Sequence, residues 1–233
     1  MRKLILIIII FISNPIFSQG GIIKYEVHLG IDLNTVDKKF IDFFTQLIDY
    51  GNNQQYELVF NEDESCFRYI DNLSSNPDFD KNTELIARTF LNSSSDVYID
   101  YKSKKVIMKK PNGLLVENEF DTSNWEITTE SKTIGNYLSY KAIKRDSYIG
   151  AKGEFRTLEV IAWFAPSLPY KYGPINYFGL PGLILELTFP KNKSTFVATK
   201  IELEKKDVKI NFPKGKTITK DEYEKKMKAQ MGM

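Results

Sequence analysis

The chain has a single residue of each type that most often carries nucleophilic or acid–base chemistry, His28 and Cys66. An imidazole acts as a general base and a thiolate as a nucleophile, but each needs a partner group within hydrogen-bond reach. One His and one Cys exclude zinc fingers, iron–sulfur clusters, disulfide scaffolds and any reaction that needs two imidazoles. We expect His28 on the polar face of a strand and Cys66 as an inert thiol in a hairpin.

Carboxylates are the other candidate catalytic groups. Glu62, Asp63 and Glu64 are adjacent, but they lack the alternating acids and the glycine of a calcium loop, so we interpret them as a solvated hairpin tip. Two carboxylates that are distant in the sequence can lie close together in the folded chain, and such a pair can hydrolyse a glycoside without His or Cys. A hydrolase is therefore one alternative. No phosphate loop, Gly-x-Ser-x-Gly elbow or dinucleotide fingerprint is present. We expect neither a metal nor a cofactor.

Aromatic side chains are concentrated in one stretch, which contains Tyr170, Tyr172, Tyr177 and Phe178. They have two interpretations: they line a cleft that holds a ligand or partner, or they fill the end of a sheet. Aromatic rings more often bury their area in a core than bind a ligand, which favours the second interpretation. If these four residues line a cleft, they form the candidate surface for a ligand or partner.

Two turns flank these aromatic residues. Gly173 and Pro174 mark the first turn. In the second, Pro181 and Gly182 take the two central positions, which is the pattern of a type II turn. The sequence therefore predicts a positive φ at Gly182.

Short stretches of alternating hydrophobicity, separated by turn residues, predict a mainly β protein. The predicted strands cover residues 22–29, 55–60, 65–70, 97–101, 104–109, 114–119, 125–129, 136–146, 157–165, 183–189 and 194–203. An amphipathic helix is predicted over 36–48, a loop over 71–82, and a C-terminal helix after the capping-box pattern of Thr219 and Glu222. The fold class is a curved antiparallel sheet, either an open barrel or a sandwich, with an N-terminal amphipathic helix and a C-terminal helix.

The first 18 residues have the pattern of a secretory signal peptide. Arg2 and Lys3 precede an apolar run too short to span a bilayer, and a small residue, Ser18, stands at the expected cleavage site. The mature chain is expected to begin at Gln19. We expect one mainly β domain over 19–210, a basic C-terminal segment with a helix over 211–233, and a periplasmic, outer-membrane-associated or secreted location.

The charge of the chain argues against nucleic acid as a partner. The 32 Lys and Arg residues nearly balance the 30 Asp and Glu residues, and loss of the signal peptide removes two of the bases. A neutral chain lacks the cationic surface of a non-specific nucleic-acid binder. Acids predominate in 26–100 and bases in 191–233, which predicts two solvated faces or a basic C-terminal tail that contacts an anionic membrane surface or partner.

Residues 179–184 read Gly-Leu-Pro-Gly-Leu-Ile, and further motifs precede them in the chain. The residues of this pattern are Trp163, Gly173, Pro174, Gly179, Leu180, Pro181, Gly182, Leu183 and Ile184. With Trp125-Glu126-Ile127 upstream, the chain resembles the GLPGLI family of exported proteins, known chiefly from Bacteroidetes. The resemblance implies a secreted or envelope-associated, largely β protein without an established activity, and no catalytic residue can be carried over.

Two functional hypotheses follow. The first is non-enzymatic binding of an apolar ligand such as a lipid, a peptide or an envelope partner protein. The second is a secreted hydrolase that uses converging carboxylates. A pocket with two carboxylates within about 10 Å of each other favours the hydrolase, and an apolar groove without them favours binding.

Overall fold

The structure is a computed structural model that describes residues 20–70, 80–122, 124–149, 155–204 and 208–230. The signal peptide predicted over 1–18 and residues 71–79 of the predicted loop lie outside these residues. The strands are β1 Gly20–Leu29, β2 Gln55–Asn61, β3 Glu64–Ile70, β4 Asp96–Asp100, β5 Lys105–Lys109, β6 Leu115–Asn118, β7 Trp125–Ile134, β8 Tyr137–Ile149, β9 Phe155–Ala165, β10 Leu183–Phe189, β11 Ser194–Glu204 and β12 Thr217–Thr219. The helices are α1 Ile41–Asn52, α2 Lys81–Phe90 and α3 Lys220–Gln230.

All twelve strands belong to one sheet. Their spatial order is β12, β6, β5, β4, β3, β2, β1, β11, β10, β9, β8, β7. Neighbours are antiparallel except β12 and β6, which run parallel. The mainly β prediction is therefore confirmed, and the curved single sheet replaces the sandwich alternative, which needs two packed sheets. The sheet is not closed, because β12 and β7 are its edges.

The core lies on the face of the sheet that the alternation of apolar residues in β1 predicts. Ile23, Tyr25, Val27 and Leu29 alternate with more exposed residues and are at most 4% exposed, as a period of two requires. The phenol of Tyr25 donates a 2.6 Å hydrogen bond to the carbonyl oxygen of Ile184. This bond fastens the first strand to the start of β10.

The connection between β9 and β10 crosses the core instead of running over the surface. The ring of Tyr172 lies 6.4 Å from that of Phe60 on β2 and 6.0 Å from that of Tyr101, which follows β4. Phe178 contacts Tyr101 and Phe120 at 6.1 and 5.0 Å. Strands from both halves of the sheet thus pack on the same loop, which is the contact that a strongly curved sheet permits.

The helices differ in part from the prediction. α1 begins five residues later than predicted, because two short 3₁₀ turns occupy residues 33–35 and 38–40. α2 was not predicted: Lys81 and Asn82, assigned to a loop, form its first turn, and Asp80 caps it by accepting from Asn82 and Thr83. At α3, Thr219 and Glu222 form the predicted capping box through reciprocal bonds of 3.0 and 3.2 Å.

A smaller apolar cluster contains Cys66, Tyr98 and Ile107, together with Ile210 from beyond β11. Phe212 packs on it, with its ring 5.6 Å from that of Tyr98. The segment after β11 is therefore docked on strands β3 to β5. None of the helices in the described part of the chain has the length and apolar character needed to cross a membrane.

Candidate functional site

The four predicted aromatic residues lie in two environments. Tyr170 and Tyr172 pack on Phe60, and Tyr172 is 2% exposed, so these two belong to the core contact across the sheet. Tyr177 and Phe178 also pack inward, but both line a pocket. The structure therefore places the second pair at this pocket and the first pair in the core contact.

This cavity, which we call the seam pocket, has a volume of about 300 Å³. Its lining residues are Asn118, Glu119, Asp121, Trp125, Lys144, Asp146, Asn176, Tyr177, Phe178 and Lys220. They come from β6 and the start of α3 at one end of the strand order, from β7 and β8 at the other end, and from the β9–β10 loop. The pocket thus lies where the two ends of the unclosed sheet approach each other.

A buried ammonium group organises the pocket. The side chain of Lys144 is 7% exposed, and its Nζ donates to Asp121 Oδ2 at 2.7 Å and lies 3.9 Å from Asp146 Oδ1. The shared ammonium places these two carboxylate oxygens within about 7 Å of each other. A buried lysine needs such partners, because an unpaired charge away from water is costly.

The aromatic wall of the pocket is fixed by a hydrogen bond. The indole Nε1 of Trp125 donates to the carbonyl oxygen of Phe178 at 3.0 Å, and the Tyr177 ring packs on the indole at 6.3 Å. Burial raises the pKa of Tyr177, and the nearby Asp146 adds to this shift. Its hydroxyl is therefore neutral at physiological pH and is able both to donate and to accept.

A strained backbone presents the loop residues of the pocket. Ile175 is buried with φ 59°, a left-handed conformation that β-branched residues rarely adopt. Before it, a Cβ on Gly173 would lie 2.7 Å from Ile184 Cβ, so only glycine fits there. The tight path from Gly173 to Tyr177 brings Asn176 to the pocket.

The prediction of a positive φ at Gly182 is wrong. The glycine of this motif with a positive φ is Gly179, at 97°. At Gly182 the constraint is space, because a Cβ there would overlap the carbonyl oxygen of Ala165 and lie 2.9 Å from Pro166 N. The backbone of Gly182 thus passes directly against the end of β9, where Leu183 pairs with Ala165.

Most of the remaining residues of the motif pack in the core. Leu180, Leu183 and Ile184 are at most 1% exposed, whereas Pro181 is exposed. The ammonium of Lys132 lies over the ring of Trp163 on β9, 4.4 Å from the ring centroid. The motif therefore acts as a core anchor that orients the loop toward the seam pocket.

His28 and the acidic hairpin tip lie outside both described pockets. His28 is exposed, as predicted, and Glu62 and Asp63 are exposed between β2 and β3. Among the described residues, no group of three or more His, Cys, Asp or Glu side chains is placed to hold a metal ion. The three carboxylates of the seam pocket therefore do not form a metal site.

Cys66 is a buried free thiol, and burial raises its pKa to about 11. Because the thiolate is the reactive form, we expect a chromogenic disulfide reagent at pH 8 to leave native protein unmodified over an hour. The same reagent in 6 M guanidinium should modify one thiol per chain. Rapid modification of native protein would contradict the buried assignment.

Most residues of the seam pocket could not be identified from the sequence. Asp121, Lys144, Asp146, Asn176 and Lys220 come from four separated segments, and only Lys144 and Asp146, two residues apart on β8, are related by their spacing. The available signals were the aromatic pair Tyr177 and Phe178 and the general expectation that carboxylates converge in the fold.

Comparison with known proteins supports the fold and gives no activity. A family model described as "Protein of unknown function (Porph_ging)" matches residues 150–186. No curated protein sequence matches the chain. Two solved structures of PNGF-II are similar: in the P21 space group the TM-score is 0.53 at 14% identity, covering 89% of this chain and 33% of that one. In the C2 space group the TM-score is 0.54 at 16% identity, and the match covers 90% of this chain and 32% of that one. This chain spans about a third of those chains, and the likeness is one of fold.

Proposed function

We propose that this chain is an exported, non-enzymatic binding protein that holds an uncharged stretch of extended peptide at the seam pocket. The observation that carries the proposal is the mixed lining of the pocket. Acceptor carboxylates, donor ammonium groups and side-chain amides line the pocket together with aromatic side chains. A peptide group offers one N–H donor and one C=O acceptor, so it matches such a lining.

The charge of the lining favours an uncharged ligand. Glu119, Asp121 and Asp146 face Lys144 and Lys220, which leaves the pocket close to neutral. Two of the three carboxylates already interact with the buried ammonium. A strongly charged ligand would have to compete with these contacts, whereas a neutral peptide adds hydrogen bonds to them.

An open sheet edge begins at the pocket. Trp125 is the first residue of β7, the ten-residue edge strand, which pairs with β8 on one side and with no other described strand. An extended peptide binds such an edge by continuing the backbone hydrogen-bond ladder. A peptide along β7 would place one end or one side chain in the seam pocket.

The hydrolase remains the second candidate because of one observation. Asp121 and Asp146 meet the distance criterion for a carboxylate pair, since both lie close to one ammonium. That same ammonium occupies the space between them, where a glycosidase holds the scissile bond. Binding is therefore the better-supported function.

The test uses the fluorescence of Trp125. The chain has two tryptophans, so Trp163→Phe leaves Trp125 as the sole indole reporter. We expect members of an acetylated, amidated library of uncharged decapeptides to change its emission with saturation. Asn176→Ala should raise the Kd of the best peptide about tenfold, the value of one hydrogen bond in a binding site.

Asn82→Ala is the matched control, because Asn82 is exposed on α2 and its side chain makes no hydrogen bond to a described residue. Its Kd should equal that of the parent. Failure of every peptide to bind, or equal effects of the two variants, would contradict the proposal. Turnover of aryl glycosides that Asp146→Asn abolishes would establish the hydrolase instead.

We propose export on the basis of the leader sequence. Protein recovered from an envelope or culture-supernatant fraction should give an N-terminal sequence that begins near Gln19, since Ser18 is the small residue at the cleavage site. The matched sample is the cytoplasmic fraction of the same cells. Recovery mainly in the cytoplasm with Met1 intact would contradict export.

We also propose that the chain is a member of the GLPGLI family. The support is the intact hexapeptide over 179–184, which lies within the residues matched by the family model of unknown function. Its burial and its contacts with β1 and β9 give it a structural role that any member with the same fold would need.

A further inference from the structure

A second pocket lies between α2 and the strands β3 to β5, and it shares no lining residue with the seam pocket. It has a volume of about 300 Å³. Its lining residues are Tyr69, Lys81, Glu84, Leu85, Arg88, Ser94, Asp96, Lys109, Lys110 and Pro111. We call it the cationic groove, and we propose that it binds a phosphate-sized dianion, either free phosphate or a phosphate monoester.

The first argument is the balance of charge. The groove has four basic side chains and two acidic ones, and the chain as a whole is almost neutral. Glu84, which is 5% exposed, lies 3.5 Å from Arg88 Nη1. An excess of two positive charges in a concave site favours an anion of matching charge.

The second argument is the fixed position of Arg88. Its guanidinium lies over the Tyr69 ring at 4.4 Å, and its Nη2 donates to the carbonyl oxygen of Ser94 at 3.3 Å. The side chain is 14% exposed, and its Nε has no hydrogen-bond partner among the described atoms. A guanidinium held in this way is preorganised, so little side-chain entropy is lost when an anion binds.

The third argument concerns the lysines of the groove. None of Lys81, Lys109 and Lys110 lies within ion-pair distance of a described carboxylate. Lys110 instead lies over the Tyr223 ring of α3 at 4.7 Å, and burial lowers the pKa of its ammonium. Three ammonium groups near one guanidinium repel each other, and a bound dianion would offset this repulsion.

Asp96 limits the position of the anion. It pairs in register with Lys109, and burial raises the pKa of its carboxyl in spite of the nearby Arg88, Lys109 and Arg68. A negative ligand would lie away from this carboxylate, among the ammonium groups of the groove. The size of the groove suits one tetrahedral group with a small substituent.

The test is calorimetric titration of the full mature chain with inorganic phosphate and with phenyl phosphate at constant ionic strength and pH 7.5. We expect saturable binding of at least one of them. Tighter binding of phenyl phosphate would identify a monoester as the ligand class, and tighter binding of inorganic phosphate would identify the free ion.

The double variant Lys81→Gln/Lys109→Gln should weaken binding at least tenfold and keep the parental melting temperature, because both residues are exposed. The matched control is Lys38→Gln/Lys104→Gln, which removes two exposed lysines elsewhere and should bind like the parent. Equal weakening in both double variants would show a non-specific ionic effect and overturn the site. Absence of saturable binding of both ligands would also overturn it.

Discussion

Replacing Gly182 with alanine is expected to destabilise the fold by about 3 kcal/mol, the upper part of the range for overpacked positions. The added Cβ would overlap the carbonyl oxygen of Ala165 and lie 2.6 Å from its carbonyl carbon. That oxygen also accepts from Leu168 N at 3.0 Å, and Ala165 pairs with Leu183. Because backbone atoms on both sides are fixed, the strain cannot be relieved by a rotamer change. Thermal unfolding should show a melting temperature lower by about 10 °C.

Gly135→Ala is the matched control. Gly135 has φ 56°, and a Cβ there would meet nothing within 4 Å, so the change adds backbone strain without overlap. It should cost about 1 kcal/mol. Equal melting temperatures for the two variants would contradict the explanation by close approach. The requirement for glycine at position 182 would then concern its backbone conformation.

The strands could be predicted because their signal is local. In β1, side chains on one face of the sheet recur every second residue, and Ile23, Tyr25 and Val27 are 0% exposed as this period requires. The hairpins of β2 with β3 and of β4 with β5 were predicted almost to the residue. Turn residues and alternation lie next to each other in the sequence, so no distant contact is needed to identify them.

α2 was missed because the positions that it buries are small or charged. Leu85 and Ile86 are 36% and 45% exposed, whereas the buried positions are Ala87 and the charged Glu84. The buried face of α2 therefore has few large apolar residues, and the Asp80 cap is the local signal of where the helix begins. β12 was missed for a different reason, since its partner β6 lies about a hundred residues earlier.

The role of Gly182 was misjudged because a turn pattern reports on backbone angles and not on neighbours. Pro181 and Gly182 fit a type II turn, but the nearest atoms to Gly182 belong to Ala165 and Pro166. The seam pocket was missed for the same reason, because it depends on residues that are distant in the sequence. Its residues converge because the sheet curves until its ends approach, and curvature is a property of twelve strands together.

Lys144→Met is expected to destabilise the protein by about 2 kcal/mol at pH 7 and to disturb the seam pocket. The variant keeps most of the buried stem but leaves Asp121 and Asp146 without the ammonium that now lies 2.7 and 3.9 Å from them. Removing one member of a fully buried pair costs more, and the 35% exposure of the Asp121 side chain reduces the effect here. Chemical denaturation at pH 7 measures the loss.

Lys141→Met is the matched control, because Lys141 lies on the same strand and pairs with Glu130 at 2.8 Å, but Glu130 is 58% exposed. A solvated pair of this kind contributes roughly 0.5 kcal/mol.

The double variant Lys144→Met/Asp121→Asn separates repulsion from lost packing. It removes one of the two carboxylate charges that Lys144→Met leaves without the Lys144 ammonium, and it should recover more than half of the lost stability at pH 7, because a neutral pair of similar volume replaces a broken ion pair. It should not recover peptide binding, since the Lys144 ammonium that lies beside Asp146 at the pocket is still absent. If the double variant is as unstable as Lys144→Met at pH 7, Lys144 stabilises this end of the sheet by packing on Trp125, and the electrostatic account of the seam pocket is wrong.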